Sequence, residues 1–346
     1  MHGKAFTGPG AELRATRAGH WAKSLAGFEE SRDWCAKNGV TLTKADSETI
    51  GTLGGFVVPT AFDDAIIALR DTVGAFRNAE VRPASSDNTV RPRRTGGLTA
   101  SFVAEGTPIP ECQMQLDAVS ATLKKLAILS RASAELYEDS APDLADFLAC
   151  EIAYAYAALE DDCGFNGDGT SAYGGIIGLS AKLTGMKSAI TAGSGHNTFL
   201  TLDTTDIANL MAGVLATAIP RAAWYISAIG YAQCFCRIAA TAGGLVATEA
   251  ADGTIKASFL GFPVRFSSKL PNVSTTLSGK PMMYFGDLSK SSVIAEHRTG
   301  TVVSISRKRA ADQDQVLLRG TRREDIINHS VGDATTLGPI AMLVGN

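Results

Sequence analysis

Residues 79–130 of this chain alternate short apolar and polar steps around turn residues, with almost no helical pattern. Val119, Ala121 and Leu123 alternate with Ser120, Thr122 and Lys124, the period-two signature of a strand with one buried face. Opposite them, Thr89–Arg94 and Ser101–Glu105 flank a turn at Thr95-Gly96-Gly97. Prolines at 83, 92, 108 and 110 exclude a central strand of an ordinary sheet, because proline has no N–H to donate to a ladder. The segment reads as a long two-stranded excursion with little core of its own. An isolated hairpin is marginal in water, and no other part of the chain offers it an obvious flat partner. A neighbouring subunit is the expected support.

The rest of the chain has material for a sizeable core. Of 346 residues, 45% are hydrophobic and 19% charged, which excludes global disorder and predicts two or three packing units. With 32 basic against 35 acidic side chains the net charge is −3, so the chain lacks the basic footprint of a dedicated nucleic-acid binder. No apolar run approaches the roughly 20 residues that cross a bilayer, and the first ten residues, MHGKAFTGPG, lack a secretory signal's apolar segment. Six sparse cysteines, most in apolar settings, fit a reduced, cytosolic folding environment.

Residues 1–50 are polar and weakly periodic; Leu25, Phe28 and Trp34 line at most one short helix, and the stretch reads as an extended arm. Gly54–Pro59 (GGFVVP) opens an apolar strand-like step, after which Phe62, Ile66 and Leu69 recur at helical spacing. Residues 140–163 form the clearest helix: Ser140 as cap, Pro142 in the first turn, Asp143 and Asp146 at the positive end, and Leu144, Leu148, Ile152, Ala155 and Leu159 every three or four residues. Gly164 is expected to stop it, and Asn166–Thr170 (NGDGT) to reverse the chain. Residues 200–272 alternate helix and strand, including Trp224–Ile226 and a single strand Phe259–Phe266, as a compact α/β module. From 282 the chain turns strand-rich at Tyr284–Asp287, Thr301–Ser306, Gln315–Arg319 and Asp325–Asn328, with a basic turn at Arg307–Arg309.

Chemical sites do not emerge. Gly167, Gly169, Gly174 and Gly175 cluster like a phosphate loop, but Ile176 and Ile177 stand where lysine and Ser/Thr are needed. The five histidines are scattered, with no HExxH or CxxC spacing, so no metal site is expected. Ala192–His196 (AGSGH) breaks the serine-elbow pattern at its first position and reads as a surface loop. Glu160-Asp161-Asp162 stands against the dipole at the negative end of the long helix and is read as a solvated terminus. No catalytic residue and no cofactor are expected. The remaining charge lies on strands and turns. Arg91, Arg93, Arg94, Phe102, Glu105, Glu111, Arg307, Arg309, Arg322 and Arg323 are the candidate inter-subunit contacts.

In order and spacing, Gly54–Pro59, Ala104-Glu105-Gly106, Leu123–Ser133 before Glu135-Leu136, Leu159–Asp162, Asn166–Thr170, Gly175-Ile176, Phe285-Gly286-Asp287 and Asp314–Arg323 resemble the major capsid protein family of tailed bacteriophages (Caudoviricetes), over about residues 45–330. The resemblance implies an α+β chain with the Hong Kong 97-type fold. It implies an N-terminal arm at 1–58 and an extended loop at 80–125. A peripheral domain follows from 59–79, 126–199 and 273–330 around a spine helix at about 140–163, with an axial domain at 200–272 and a C-terminal segment at 331–346. It further implies a structural protein, not an enzyme: hexamers and pentamers of an icosahedral shell enclosing double-stranded DNA, held by non-specific phosphate contacts. The implied partners are further copies of the chain, portal and scaffolding or protease proteins, and decoration proteins. No membrane is implied, and the location is the virion after assembly in the host bacterial cytoplasm. The alternative is an encapsulin-like nanocompartment shell protein, which shares the fold and holds enzyme cargo.

Two departures from the family pattern matter. Its long charged N-terminal scaffolding segment is missing, which leaves removal by a protease or a separate scaffolding protein; Met1 favours the second. Some family members cross-link a loop lysine to a neighbour's asparagine, and residues 78–123 contain no lysine. Particles boiled in detergent are therefore expected to run as single chains on a gel; a ladder of covalent multimers refutes this.

Overall fold

A computed structural model describes residues 4–40, 56–57, 59–96, 100–103, 108, 110–133, 141–242, 247–249, 255–306 and 315–346. Helices Ala11–Ala26 and Glu29–Lys37 precede β1 (Phe56–Val57) and a helix Thr60–Val73. β2 (Glu80–Ala84), β3 (Asn88–Gly96), β4 (Gln115–Thr122) and β5 (Lys124–Ser133) lead to the long helix Ala141–Asn166. After Leu179–Leu183, a short helix, come β6 (Ala189–Thr191), a helix Thr204–Ala212 and β7 (Ala223–Ile226). A helical stretch with a π-wound middle, Tyr231–Cys236, precedes β8 (Ala247–Glu249), β9 (Ile255–Phe259) and β10 (Phe262–Phe266). β11 (Pro281–Gly286), β12 (Ser292–His297), β13 (Val302–Ser306), β14 (Gln315–Asn328) and β15 (Ile340–Val344) follow.

The first sheet runs β1-β13-β14-β12-β2, and β5 pairs with the other edge of β14. β14 joins into one strand what the sequence pattern divided at Arg319 and Asp325. Gly320 lies at the join beneath the long helix, where an added Cβ would come within 3.2 Å of the Tyr156 hydroxyl. Pro83 sits in β2, at the sheet's end, where a missing N–H is tolerated. Leu144, Leu148, Ile152 and Tyr156 of the long helix bury themselves with Phe62 and Ile66 and with Leu126, Val303, Val316 and Leu318 of the sheet.

The expectation of an extended arm fails for residues 4–40. Ala15, Ala18, Trp21, Ala22 and Ala26 of the first helix join the same core as Ala145, Ala149 and Ala153 of the long helix. Asp146 Oδ1 accepts the backbone N–H groups of Ala5 and Phe6 at 2.8 and 3.1 Å. The buried face is built largely of alanine, which lets two helices approach closely but registers poorly as an apolar stripe. Residues 41–55 lie outside the described residues.

Gly164 does not stop the long helix, which runs on to Asn166; a Cβ there would sit 2.4 Å from the Phe76 ring, so the glycine serves a close crossing. At 26 residues the helix is about 39 Å long. The cap expected at Ser140 lies outside the described residues.

The second sheet runs β6-β15-β11-β7-β10-β9-β8, with β6/β15 and β7/β10 parallel. Two expectations change here. Phe259–Phe266 is a hairpin rather than one strand, because Leu260 and Gly261 both take positive φ (51° and 82°). A boundary at 272 also cuts this sheet: β11 and β15 lie beside β7 and β6, so residues 281–286 and 340–344 belong to the module begun at 189. Phe76, Phe165, Tyr225, Tyr284, Ile294, Ile326 and Ile340 join the two sheets in one shared cluster. Cys35, Cys150, Cys163 and Cys234 are buried, as apolar settings implied.

Trp21 is 1% exposed between the first and long helices. Trp21→Ala is expected to destabilise the chain by about 3–5 kcal/mol, read from urea midpoints. An unchanged midpoint would return these residues to the status of a loose arm.

Candidate assembly site

β3 and β4 form a separate two-stranded sheet, in register from Asn88↔Thr122 to Arg94↔Leu116, with an irregularity before Gly96. The returning strand is therefore Gln115–Thr122, not Ser101–Glu105; Ala100–Val103 and Glu111–Met114 lie beyond the paired strands, at the tip. Pro92 is tolerated because β3 pairs on one side alone.

The hairpin's base rests on its own subunit. Ala84, Ala121, Leu123 and Ala295 make a small buried cluster with Ile327 packed against it. Thr122 N–H donates to Asp325 Oδ2 at 2.8 Å, Leu123 N–H donates to the Asp87 carbonyl at 2.8 Å, and Arg323 pairs with Asp87 at 2.9 Å. Arg93 pairs with Asp117 at 2.7 Å and donates to the His329 carbonyl. Toward the tip, among the described residues, Phe102 is fully exposed, and Met114 and Leu116 are more than half exposed. Several large apolar side chains exposed on one short excursion point to a contact surface.

Of the ten candidate contacts, Phe102 and Glu111 are exposed at the tip, and Arg93 and Arg323 are half-exposed but engaged within the subunit. Arg91 and Arg94 lie on β3, where the backbone alone is described. Glu105, Arg307 and Arg309 lie outside the described residues. Arg322 requires correction: its side chain is 3% exposed and cannot reach a neighbour. β14 turns it inward, where Nη2 donates to Glu296 at 2.6 Å and Nη1 to Thr301 Oγ1 at 3.2 Å.

Arg322 belongs to a buried charge network that joins the long helix to both neighbouring layers. Arg70, on the helix Thr60–Val73, donates from Nη2 to Glu160 of the long helix, to Glu296 of β12 at 3.2 Å and to Glu324 of β14 at 3.0 Å. Arg77 bonds Glu296 and Asp71, and the Arg70 guanidinium lies 5.7 Å from the Tyr156 ring centre. The reading of Glu160-Asp161-Asp162 as a solvated end fails for its first two residues. Asp161 accepts the N–H groups of Ala75 and Phe76 at 3.3 and 2.8 Å and the Ser267 hydroxyl at 2.6 Å. The clue in the sequence was an acidic run opposed to the helix dipole; its partners lie 90 positions away for Glu160 (Arg70) and up to 106 for Asp161 (Ser267), beyond the reach of local pattern.

Burial, and then the nearby Glu160 carboxylate, push the Glu324 carboxyl up to about 8. Burial also raises Glu296, but Arg322, Arg77 and Arg70 overcome it and hold that carboxyl near about 2. Burial pushes Asp161 up to about 6, against the hydrogen bonds it accepts.

Among the described residues one trio of possible metal ligands gathers: His196, Asp203 and Asp206. Its groups bond one another instead. Asp206 accepts from Gly193 N–H at 2.8 Å and lies 2.6 Å from His196 Nδ1, while Asp203 and Asp206 make a reciprocal capping box for the helix Thr204–Ala212. The trio caps a helix and orders the loop that leads into it.

This architecture, an exposed hairpin beside a long helix on a sheet with a second α/β sheet behind, has relatives. The model of the phage capsid family matches residues 54–327. The chain belongs to that family. No curated protein matches it. Among solved structures, the capsid of an empty GTA particle computed with C5 symmetry is 20% identical, with a TM-score of 0.53 over 90% of this chain and 97% of that one. A Mycobacterium phage Cain chain is 15% identical at a TM-score of 0.52, covering 91% of this chain and 98% of its own. A chain of the holo-SrpI encapsulin complex from Synechococcus elongatus is 13% identical at 0.51, covering 90% and 95%. At such identities the likeness establishes the Hong Kong 97-type fold, and family membership makes the chain a capsid shell protein.

The network sets a pH dependence for the shell protein. Glu324 keeps its proton in the folded state to about pH 8, whereas the unfolded chain releases it in the ordinary carboxylate range; its contribution to stability is full below that range and lost as pH rises toward 8. Glu296 has the opposite sign: its contribution is present above the ordinary range and lost as pH falls toward about 2. Glu324→Gln is therefore expected to flatten the loss of stability between about pH 5 and pH 8, in urea midpoints measured across that range. Parallel curves for variant and parent would contradict the assignment.

Proposed function

We propose that the chain is a major capsid subunit that closes into hexamers and pentamers of an icosahedral shell around double-stranded DNA. The single observation that carries this reading is the hairpin: its base is seated on its own subunit, while Phe102, Met114 and Leu116 stand uncovered toward the tip. Burying roughly 50–100 Å² of apolar surface at each such residue, repeated at every contact of a closed ring, accumulates into a stable particle. In this reading β3–β4 is the extended loop. The long helix and first sheet are the peripheral domain, and the second sheet with its helices is the axial domain around the capsomer's symmetry axis. DNA meets the inner face through phosphate charge, without base readout. Portal, scaffolding or protease proteins act during assembly in the bacterial cytoplasm, decoration proteins bind outside, and the finished location is the virion.

The encapsulin likeness supports a second reading, a compartment shell that holds protein cargo. Contents separate the two: nuclease-protected DNA inside purified shells supports the virus, and a co-purifying enzyme supports the compartment. Negative-stain microscopy of the expressed chain is expected to show geodesic shells or capsomer rings. A chain that stays monomeric under every assembly condition overturns both.

A further inference from the structure

Between the base of the hairpin and the first sheet lies a groove of about 290 Å³, close to the lower end of the roughly 300–1,000 Å³ that small-molecule sites span. Its floor is apolar, with Val119 and Ala121 from β4 on one side and Val293, Ala295 and Ile327 from β12 and β14 on the other. Arg82, Arg93 and Lys290 also line it, and among the described residues no carboxylate does.

These three cations are not equivalent. Arg82 is closed in a two-bond pair with Glu80 at 2.5 and 2.6 Å, and Arg93 pairs with Asp117 at 2.7 Å. Among the described residues Lys290 has no carboxylate: its Nζ donates to the Thr217 carbonyl at 2.5 Å, which uses one of an ammonium group's three donors. His329, also in the lining, adds no charge, since burial and then Arg82 and Arg93 drive it toward its neutral form. The lining therefore carries one uncompensated positive charge, on Lys290. A further donor is at hand, because Arg93 Nε is buried and bonds nothing among the described residues.

That combination selects an occupant. A neutral hydrocarbon would make no use of Lys290. A multiply charged anion would lose its hydration over the apolar floor and meet one free cation in return. We propose that the groove binds a small amphipathic monocarboxylate, such as a medium-chain fatty acid, with its carboxylate on Lys290 and Arg93 Nε and its tail between β4 and the sheet. Such a ligand touches both the hairpin and the layer beneath, so its binding also holds β4 down. The site belongs to the single chain and stands whether or not the chain closes into shells.

Equilibrium dialysis of labelled octanoate against the full chain is expected to show one saturable site per chain. Hexanoate is expected to bind about fifteenfold more weakly, since each buried methylene is worth about fourfold. Octanol, which lacks the charge, is expected to bind at least tenfold more weakly than octanoate. Lys290→Gln, at an exposed position, is expected to weaken octanoate about tenfold and to leave octanol unchanged. Val119→Trp fills the groove from the hairpin side and is expected to abolish binding of both; if that variant does not fold, the Lys290 variant decides alone. Absence of saturable binding, equal affinity for octanoate and octanol, or an octanoate affinity unmoved by Lys290→Gln overturns the proposal. Amide exchange supplies a second readout. Bound octanoate is expected to slow exchange at Thr122 and Leu123, whose N–H groups close the hairpin's base, and unchanged exchange there at saturation refutes a tail lying under β4.

Discussion

Three guanidinium groups, those of Arg70, Arg77 and Arg322, and three glutamates, 160, 296 and 324, meet where the helix Thr60–Val73, the long helix, β12 and β14 converge. Taking these charges out of water is costly, and their mutual attraction offsets the cost only while the geometry is kept. Replacing a whole buried set by apolar groups can be neutral, but removing one member leaves a naked charge and costs about 3–5 kcal/mol. The arrangement thus admits one alignment of helix and sheet and penalises others. The seat of the hairpin depends on that alignment, since Arg323 and Asp325, which hold Asp87 and Thr122, are neighbours of Glu324 on β14.

Much of the fold was legible in local pattern. The long helix shows a clean three-to-four spacing at Leu144, Leu148 and Ile152, and Trp224–Ile226 an unbroken apolar run, because both are dictated by what they bury. The alanine-lined first helix was not legible: alanine is nearly silent in hydropathy yet ideal for close helix contact. β15 was missed for another reason. Ile340–Val344 is apolar enough for a central strand, but its place between β6 and β11 is decided by pairings about 55 and 150 residues away. The charge network is the extreme case, since no property of Glu160 alone names Arg70 as its partner. Of the candidate contacts, Phe102 and Glu111 are exposed in this chain, while Arg322 shows that a charged residue on a strand reaches solvent or core according to parity, a matter of register.

The hairpin divides into two regimes. Near the sheet it is held by backbone hydrogen bonds, an ion pair and a small apolar cluster; toward the tip Phe102, Val103, Met114 and Leu116 meet water. A base locked to the subunit fixes the direction in which the tip is presented, which reduces the entropy lost when a partner captures it.

The placement of β15 bears on synthesis. β6 emerges from the ribosome early and β11 much later, yet neither has its shared neighbour until residues 340–344 are released. The second sheet therefore cannot close while the chain is growing, and a nascent subunit still on the ribosome holds an open seam in that layer. The second sheet is complete only once translation has passed residue 344.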